Sequence, residues 1–226
     1  MEIFETKYLY LILMLFSLSY PLAQSFESRI SYYTKWKKLA LATIAMMLLF
    51  VPWDIWFTKL GVWQFNERYF LGLKIWHLPI EEWLFFIFIP FACIFIYEVL
   101  NYFFPNQKPF KNEIAISYIL ALTLFSIAFI NFDKQYTFVC FLLCGLALLL
   151  SGIFKPIWLS KFFRMYLVSL IPFLLVNGFL TGSFTQEPVV IYNPDEILGI
   201  RILNIPIEDS IYNMLMLLIV VFFYER

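Results

Sequence analysis

Charge is the scarcest ingredient of this chain. Only 14% of its 226 residues are charged, against 62% hydrophobic, and 16 Lys and Arg balance 16 Asp and Glu. A soluble domain carries about a quarter charged residues and about half apolar ones. The composition therefore excludes a water-soluble globule, a disordered chain and a nucleic-acid binder with a basic footprint. Zero formal charge leaves no field to recruit an acidic partner. Histidine occurs once, as His77, and cysteine three times. Cys93, Cys140 and Cys144 lie inside apolar runs. Cys140 and Cys144 are one helical turn apart, but no His or third Cys completes a metal site, so all three read as small buried hydrophobes. No Gly-x-Gly-x-x-Gly follows a strand pattern, which excludes a dinucleotide fold. The segment Met1-Glu2-Ile3-Phe4-Glu5 lacks the basic region of a cleavable signal peptide, so the first apolar run is expected to persist as a helix.

What the chain does have is long apolar runs. Seven stand out, over residues 8–24, 39–57, 82–104, 114–131, 136–154, 163–181 and 206–224. None alternates in polarity as a membrane barrel strand would. Backbone in hydrocarbon must satisfy its own hydrogen bonds, so such runs mean helices of about 20 residues each. The expected class is an all-α integral membrane protein with about seven transmembrane helices. Pro52, Pro90 and Pro172 fall within or near the ends of runs, where neighbouring helices can cover the freed carbonyls. On one face the loops hold Lys7, Lys59, Arg68, Lys74, Lys134 and Arg201. On the other they hold Arg29, Lys35, Lys37, Lys38, Lys108, Lys111, Lys155, Lys161, Arg164 and Arg226. The second set is the larger and predicts a cytoplasmic location for that face, with the N-terminus outside and the C-terminus in the cytoplasm.

An internal repeat organises these helices. Gly72-Leu-Lys-Ile-Trp-His-Leu-Pro79-Ile-Glu81-Glu82 aligns without gaps on Gly199-Ile-Arg-Ile-Leu-Asn-Ile-Pro206-Ile-Glu208-Asp209, 127 residues later. Five of the eleven positions are identical and four are close replacements. The same offset places helices 1, 2 and 3 on helices 5, 6 and 7. The expected layout is a first unit of residues 1–104, a spacer helix 4 within 105–134, and a second unit of 135–226. Three crossings plus a spacer return the second unit to the face where the first began, so the repeats are parallel and related by an axis along the membrane normal. Both acidic pairs then open helices 3 and 7 from one side.

Acidic residues after a proline suit any helix N-terminus, because the helix dipole favours negative charge there. The recurrence of the whole tetrad behind Gly-x-[Lys/Arg]-Ile argues for more. Adjacent helical residues point about 100° apart. One member of each pair, Glu81 with Glu82 and Glu208 with Asp209, is thus expected to face reactants while the other anchors Lys74, Arg201 or a backbone group. Carboxyls that lose hydration retain protons more readily, a helix N-terminus opposes this, and two carboxyls brought together share a proton. Such a pair supplies an acid and a base.

Aromatic residues make up 22% of the chain and crowd these acids. Trp53, Trp56 and Trp63 precede the first pair, Trp76 and His77 flank it, and Trp83, Phe85 and Phe86 follow. Aromatic faces attract cations most strongly when water is excluded, whereas an interfacial belt would account for many of the same residues. An acid within aromatic walls is what carbocation chemistry on an apolar polyene requires. Asp54 in helix 2 has two readings, an intramembrane functional acid or an interfacial one; the uniform offset pairs it with Thr181. His77 reads as a polar loop residue. Asn177, Gly178 and Gly182 read as helix-packing positions. The loop around Gln186-Glu187-Pro188 and Tyr192-Asn193-Pro194 suits a cap over a cavity mouth.

These residues resemble a known family. Trp53-Asp54, Gly61-x-Trp63, Gly72 and Pro79-Ile-Glu81-Glu82-x-x-Phe85-Phe86 resemble the first half of the membrane-type lycopene β-cyclases. Tyr192-Asn193-Pro194, Gly199-Ile-Arg201 and Pro206-Ile-Glu208-Asp209-x-x-Tyr212 resemble the second, in the order of the fused form. Phe65 stands where the family pattern has Tyr. The resemblance implies redox-neutral cyclisation of lycopene or γ-carotene ends to β-ionone rings, with no redox cofactor and no metal. The substrate would come from the lipid bilayer, and association with other carotenoid enzymes would be natural. It points to Glu81 and Glu208 as leading acid or base, with Glu82, Asp209 and Asp54 as further candidates. Trp53, Trp63, Trp76, Phe85, Phe86, Tyr192 and Tyr212 would line the substrate, and Lys74, Arg201, Asn193 and His77 would support it. The competing class is a proton-coupled transporter or channel, which duplicated units with acids also suit. Against it, no hydrophilic stripe crosses the bilayer. An intramembrane prenyltransferase would need Asp-rich magnesium sites that the chain lacks.

Overall fold

The computed structural model describes residues 5–105 and 111–226. Residues 1–4 of the N-terminal segment and the loop lysine Lys108 lie outside them. Seven helices make up the described chain: α1 (Leu9–Gln24), α2 (Trp36–Leu60), α3 (Ile80–Phe103), α4 (Glu113–Ile130), α5 (Gln135–Phe154), α6 (Leu159–Leu180) and α7 (Ile207–Tyr224). Six are long and apolar enough to cross a bilayer; α1, with 16 residues, is shorter. At 1.5 Å per residue it rises about 24 Å, short of a hydrocarbon core of about 30 Å. Its apolar run stops because Ser25, Glu27, Ser28 and Arg29 follow directly.

The repeat is visible in the backbone. A two-residue hairpin joins β2 (Lys74–Ile75) to β3 (Leu78–Pro79), and its copy joins β5 (Arg201–Ile202) to β6 (Ile205–Pro206) in the same register. Trp76 and His77 turn the first hairpin at φ +50° and +77°, and Leu203 turns the second at φ +55°. Such left-handed corners match the twist of two-residue hairpins. Pro79 and Pro206, both extended, then lead directly into α3 and α7 with the acids in the first turn.

The two halves meet through reciprocal contacts. Strands β1 (Trp63–Phe65) and β4 (Val190–Tyr192) pair antiparallel, Trp63 opposite Tyr192, Gln64 opposite Ile191 and Phe65 opposite Val190. Because Gln64 and Ile191 are repeat equivalents, this pairing has the self-complementarity of a twofold contact. At the far ends of α3 and α7 the same relation recurs. Tyr97 Oη donates to Glu225 Oε1 at 2.5 Å, and Tyr224 Oη donates to Glu98 Oε1 at 2.6 Å. Lys35 adds an ion pair to Glu98. A pseudo-twofold axis thus runs the length of the bundle between α3 and α7. Helix α2 packs on α7, and its counterpart α6 on α3, so each half supplies a helix to the other.

The offset is not uniform along the helices. The interior prolines Pro52 and Pro172, and the last helical residues Leu60 and Leu180, are 120 apart. The connection 181–189 is longer than its counterpart 61–62, which restores the offset of 127 at the strands. The counterpart of Asp54 is therefore Leu174 rather than Thr181. Helix α4 has no repeat equivalent and packs on α5. A Cβ at Gly145 would stand 2.9 Å from the Phe125 ring, and one at Gly152 would stand 2.8 Å from the Tyr118 ring. Small residues here let the two helices approach closely.

Candidate active site

Each acidic pair splits between two tasks, as the turn of a helix requires. Glu81 is fully buried, and its Oε1 accepts the Leu71 backbone N–H at 2.9 Å. Glu208, its equivalent, accepts the Leu198 N–H at 2.7 Å and the Thr137 hydroxyl at 2.7 Å. These glutamates tie each hairpin to its own helix. The anchor is backbone, whereas Lys74 pairs with Glu67 and Arg201 donates to the Asn204 carbonyl. The sequence-level expectation that these two bases support the acids is thereby corrected: both side chains are taken up locally at the exposed hairpins.

The second member of each pair faces a shared interior cavity of about 60 Å³. Glu82 accepts a hydrogen bond from the Tyr10 hydroxyl. Asp209 accepts three: from Tyr136 Oη at 2.9 Å, Asn177 Nδ2 at 2.7 Å and Tyr192 Oη at 2.9 Å. Asp54, 2% exposed, opens on the same cavity and interacts with the Trp63 indole, while its Oδ2 has no hydrogen-bond partner. Three carboxyls from three helices and both halves therefore meet in one buried space. Burial and the Asp209 carboxylate push the Tyr192 hydroxyl well above its ordinary value, so it remains a donor.

The cavity is walled by rings. Trp63, Phe85, Tyr192 and Tyr212 line it. Trp53 stands behind Tyr212 with ring centroids 5.1 Å apart, and Phe86 stands behind with Phe50 and Phe85. Three expected residues are elsewhere. Trp76 is 69% exposed and packs on Trp83, because the hairpin turn carries it outward. His77 shares that exposed turn. Asn193 caps a short 3₁₀ turn by accepting from the Asp195 N–H, so its side chain is spent on the loop.

Other cavity residues escaped the sequence reading. Tyr10 and Tyr136 are repeat equivalents at an offset of 126 in the first helix of each unit, a signal hidden by the one-residue shift. Asn177 donates to Asp209 instead of serving helix packing alone. Phe173 and Asn213 also line the cavity. Asn213 is 3% exposed, and its Oδ1 has no hydrogen-bond partner. Gly178 and Gly182 do serve close packing, against Phe184 and Pro188 of the following loop.

Over the cavity, the loops of both halves are pinned together. Glu5 accepts from Tyr69 Oη at 2.5 Å and from the Gln186 N–H at 2.9 Å, and pairs with Arg68 at 3.1 Å. Asn66 donates to Glu187 at 2.9 Å. This is the cap that the Pro-rich loop suggested.

Carboxyls from both halves in a buried, ring-lined cavity within a bundle of long apolar helices define a helical membrane protein with an acidic interior site. A family model described as lycopene cyclase matches the chain twice, over residues 7–100 and 133–226. The chain belongs to that family, in a fused form with two repeats, and α4 lies between the two matched segments. No curated protein and no solved structure matches it.

Proposed function

We propose that the protein closes the acyclic ends of lycopene to β-ionone rings, with Glu82, Asp54 and Asp209 moving the proton. The carrying observation is the convergence of these three carboxyls, from both halves, in one buried aromatic cavity. A carboxylic acid protonates the terminal carbon–carbon double bond and leaves a tertiary cation. The neighbouring double bond attacks that cation and forms the ring. A base then removes a ring proton, which restores one double bond. No atom or electron is gained or lost, so the reaction is an isomerisation and uses no redox cofactor.

The division of labour follows from hydrogen bonding. An ionised carboxylate only accepts, which suits the three donors around Asp209. Asp209 is the base. Glu82 and Asp54 face the same space with one donor each, Tyr10 and Trp63. Two such carboxyls in a dry pocket hold a proton between them, and this pair is the acid. Glu81 and Glu208 hold the hairpins that aim α3 and α7. Cations are attracted to ring faces when water is excluded, and Trp63, Phe85 and Tyr212 surround the place where the cation forms.

In this reading residues 1–104 and 135–226 are the two catalytic units and helix 4 within 105–134 is the spacer. The protein spans the cell membrane, with the N-terminus outside and the C-terminus in the cytoplasm. Lycopene and γ-carotene reach it from the bilayer. Expression in lycopene-accumulating bacteria tests the activity: pigment turns from red to orange-yellow, and chromatography shows ringed products. Pigment that stays red at normal protein levels would overturn the cyclase reading in favour of a carrier.

A further inference from the structure

The acid cavity is too small for what it must hold. An engineered cavity of about 150 Å³ accommodates benzene, whereas the space at Glu82 and Asp209 is about 60 Å³. A second cavity of about 360 Å³ lies beside it, between α1, α3 and α6. Its walls are almost wholly apolar, with Ile89, Ala92, Phe95 and Val176 among them. Its serine hydroxyls are spent on their own helices, Ser17 donating to the Leu13 carbonyl, Ser19 to the Phe16 carbonyl and Ser169 to the Tyr166 carbonyl. The rim residues Phe16 and Tyr20 are 60% and 66% exposed, so the groove opens to the lipid-facing side of the bundle.

The two spaces share Phe173 and Asn213. The repeat equivalents of this pair are Trp53, at the α2 to α6 offset, and Phe86. Those two rings are buried and close the matching position in the other half. The twofold is thus broken where a passage is needed. Asn213 also brings an unpartnered buried carbonyl oxygen to the junction.

We propose that this groove seats the conjugated chain of the carotenoid substrate, and that Phe173 and Asn213 form the passage by which its end group reaches the acids. The proposal rests on the cyclase reading for its substrate. The end group displaces Phe173 toward the groove and occupies the enlarged space, while the remaining polyene lies along α1, α3 and α6 toward the lipid. Asn213 Oδ1 then points a negative dipole end at the entering group, where positive charge develops.

Two readouts separate this proposal from the function on which it rests. In lycopene-accumulating bacteria, Ala92→Trp and Val176→Trp fill the groove and are expected to lower ring formation at least tenfold at matched membrane levels. Ile119→Trp, on the exposed face of α4, is expected to behave as the parent. The second readout is lycopene co-purifying with detergent-solubilised protein carrying Asp209→Asn. Adding Val176→Trp is expected to remove that pigment from protein that still elutes as a single species, and Asn213→Phe is expected to reduce it. If the parent forms no rings yet binds lycopene in a groove-dependent manner, the cyclase reading fails and the groove stands. If the filled variants still bind and cyclise lycopene fully, the groove proposal is overturned and a lipid acyl chain is its occupant.

Discussion

Glu81 and Glu82 are neighbours in sequence with opposite surroundings: Glu81 holds a backbone N–H, whereas Glu82 faces the cavity. Glu82→Gln and Asp209→Asn each remove a titrating group from the cavity and are expected to lower ring formation by at least a hundredfold, read by product chromatography. This follows from the typical contribution of a positioned acid or base, about 10²- to 10⁴-fold. Glu81→Gln and Glu208→Gln are expected to behave differently. Each weakens a buried bond to a backbone N–H, at a cost of about 1–3 kcal/mol in stability. The yield of folded protein falls, while turnover per folded molecule stays near that of the parent. Normal stability with lost turnover in those two variants would return them to the chemistry. Tyr192→Phe removes one of three donors from Asp209. A hydrogen bond to a charged group contributes about 1.5–3 kcal/mol, so turnover is expected to fall about tenfold or more without unfolding.

Single elements carry their own expectations. The α6 to β4 connection is held over the cavity through Glu5, whose carboxyl lies below its ordinary value of 4.5 because the Tyr69 hydroxyl and the Gln186 N–H donate to it. A depressed folded-state value means that this tie is fully present above the ordinary carboxylate range and is lost as pH falls through the lowered value. Amide protection over residues 181–189 is therefore expected to hold near neutrality and to fall once pH drops beneath the ordinary carboxylate range, and Glu5→Gln is expected to lower it at all pH values. Unchanged exchange in that variant would remove Glu5 from the cap. Helix α4 depends on the two α5 glycines. Gly152→Val would drive a side chain into the Tyr118 ring, with overpacking costs of about 1–3 kcal/mol. A lower melting temperature is the expected outcome, with ring formation retained in folded protein, because α4 contributes nothing to the acid cavity.

At the scale of the molecule, the pseudo-twofold makes each half incomplete. Tyr10, Asp54 and Glu82 come from the first half, and Tyr136, Asn177 and Asp209 from the second. Helices α2 and α6 each pack on the other half, and the tyrosine–glutamate clasp closes the far end. Cutting the chain between α3 and α4 and co-expressing the pieces is expected to reconstitute ring formation, while neither piece alone forms rings. Activity from one piece by itself would show that a single acid pair suffices. Asymmetry is as informative as the repeat. Phe85 and Phe65 in the first half stand where the second has Tyr212 and Tyr192, and Asp209 accepts from two tyrosine hydroxyls where Glu82 accepts from one.

Much of this was legible in the order of residues. Apolar runs dictate helices because backbone in lipid must bond to itself. The duplicated Gly-x-[Lys/Arg]-Ile tetrad marks two equivalent helix starts, and a proline followed by acids marks their direction. Seven runs became six spanning lengths and a shorter α1, since run length in sequence differs from helix rise only at ends set by polar neighbours. Which acid of each pair faces the cavity was beyond one-dimensional reading. Neighbouring positions on a helix diverge by about 100°, and only packing decides which direction is inward. The same holds for Tyr10, Asn177 and Asn213, whose partners lie far away along the chain. Composition and repetition determined the kind of protein and its two halves; the interlocking of those halves decided which side chains meet, because the cavity exists only between them.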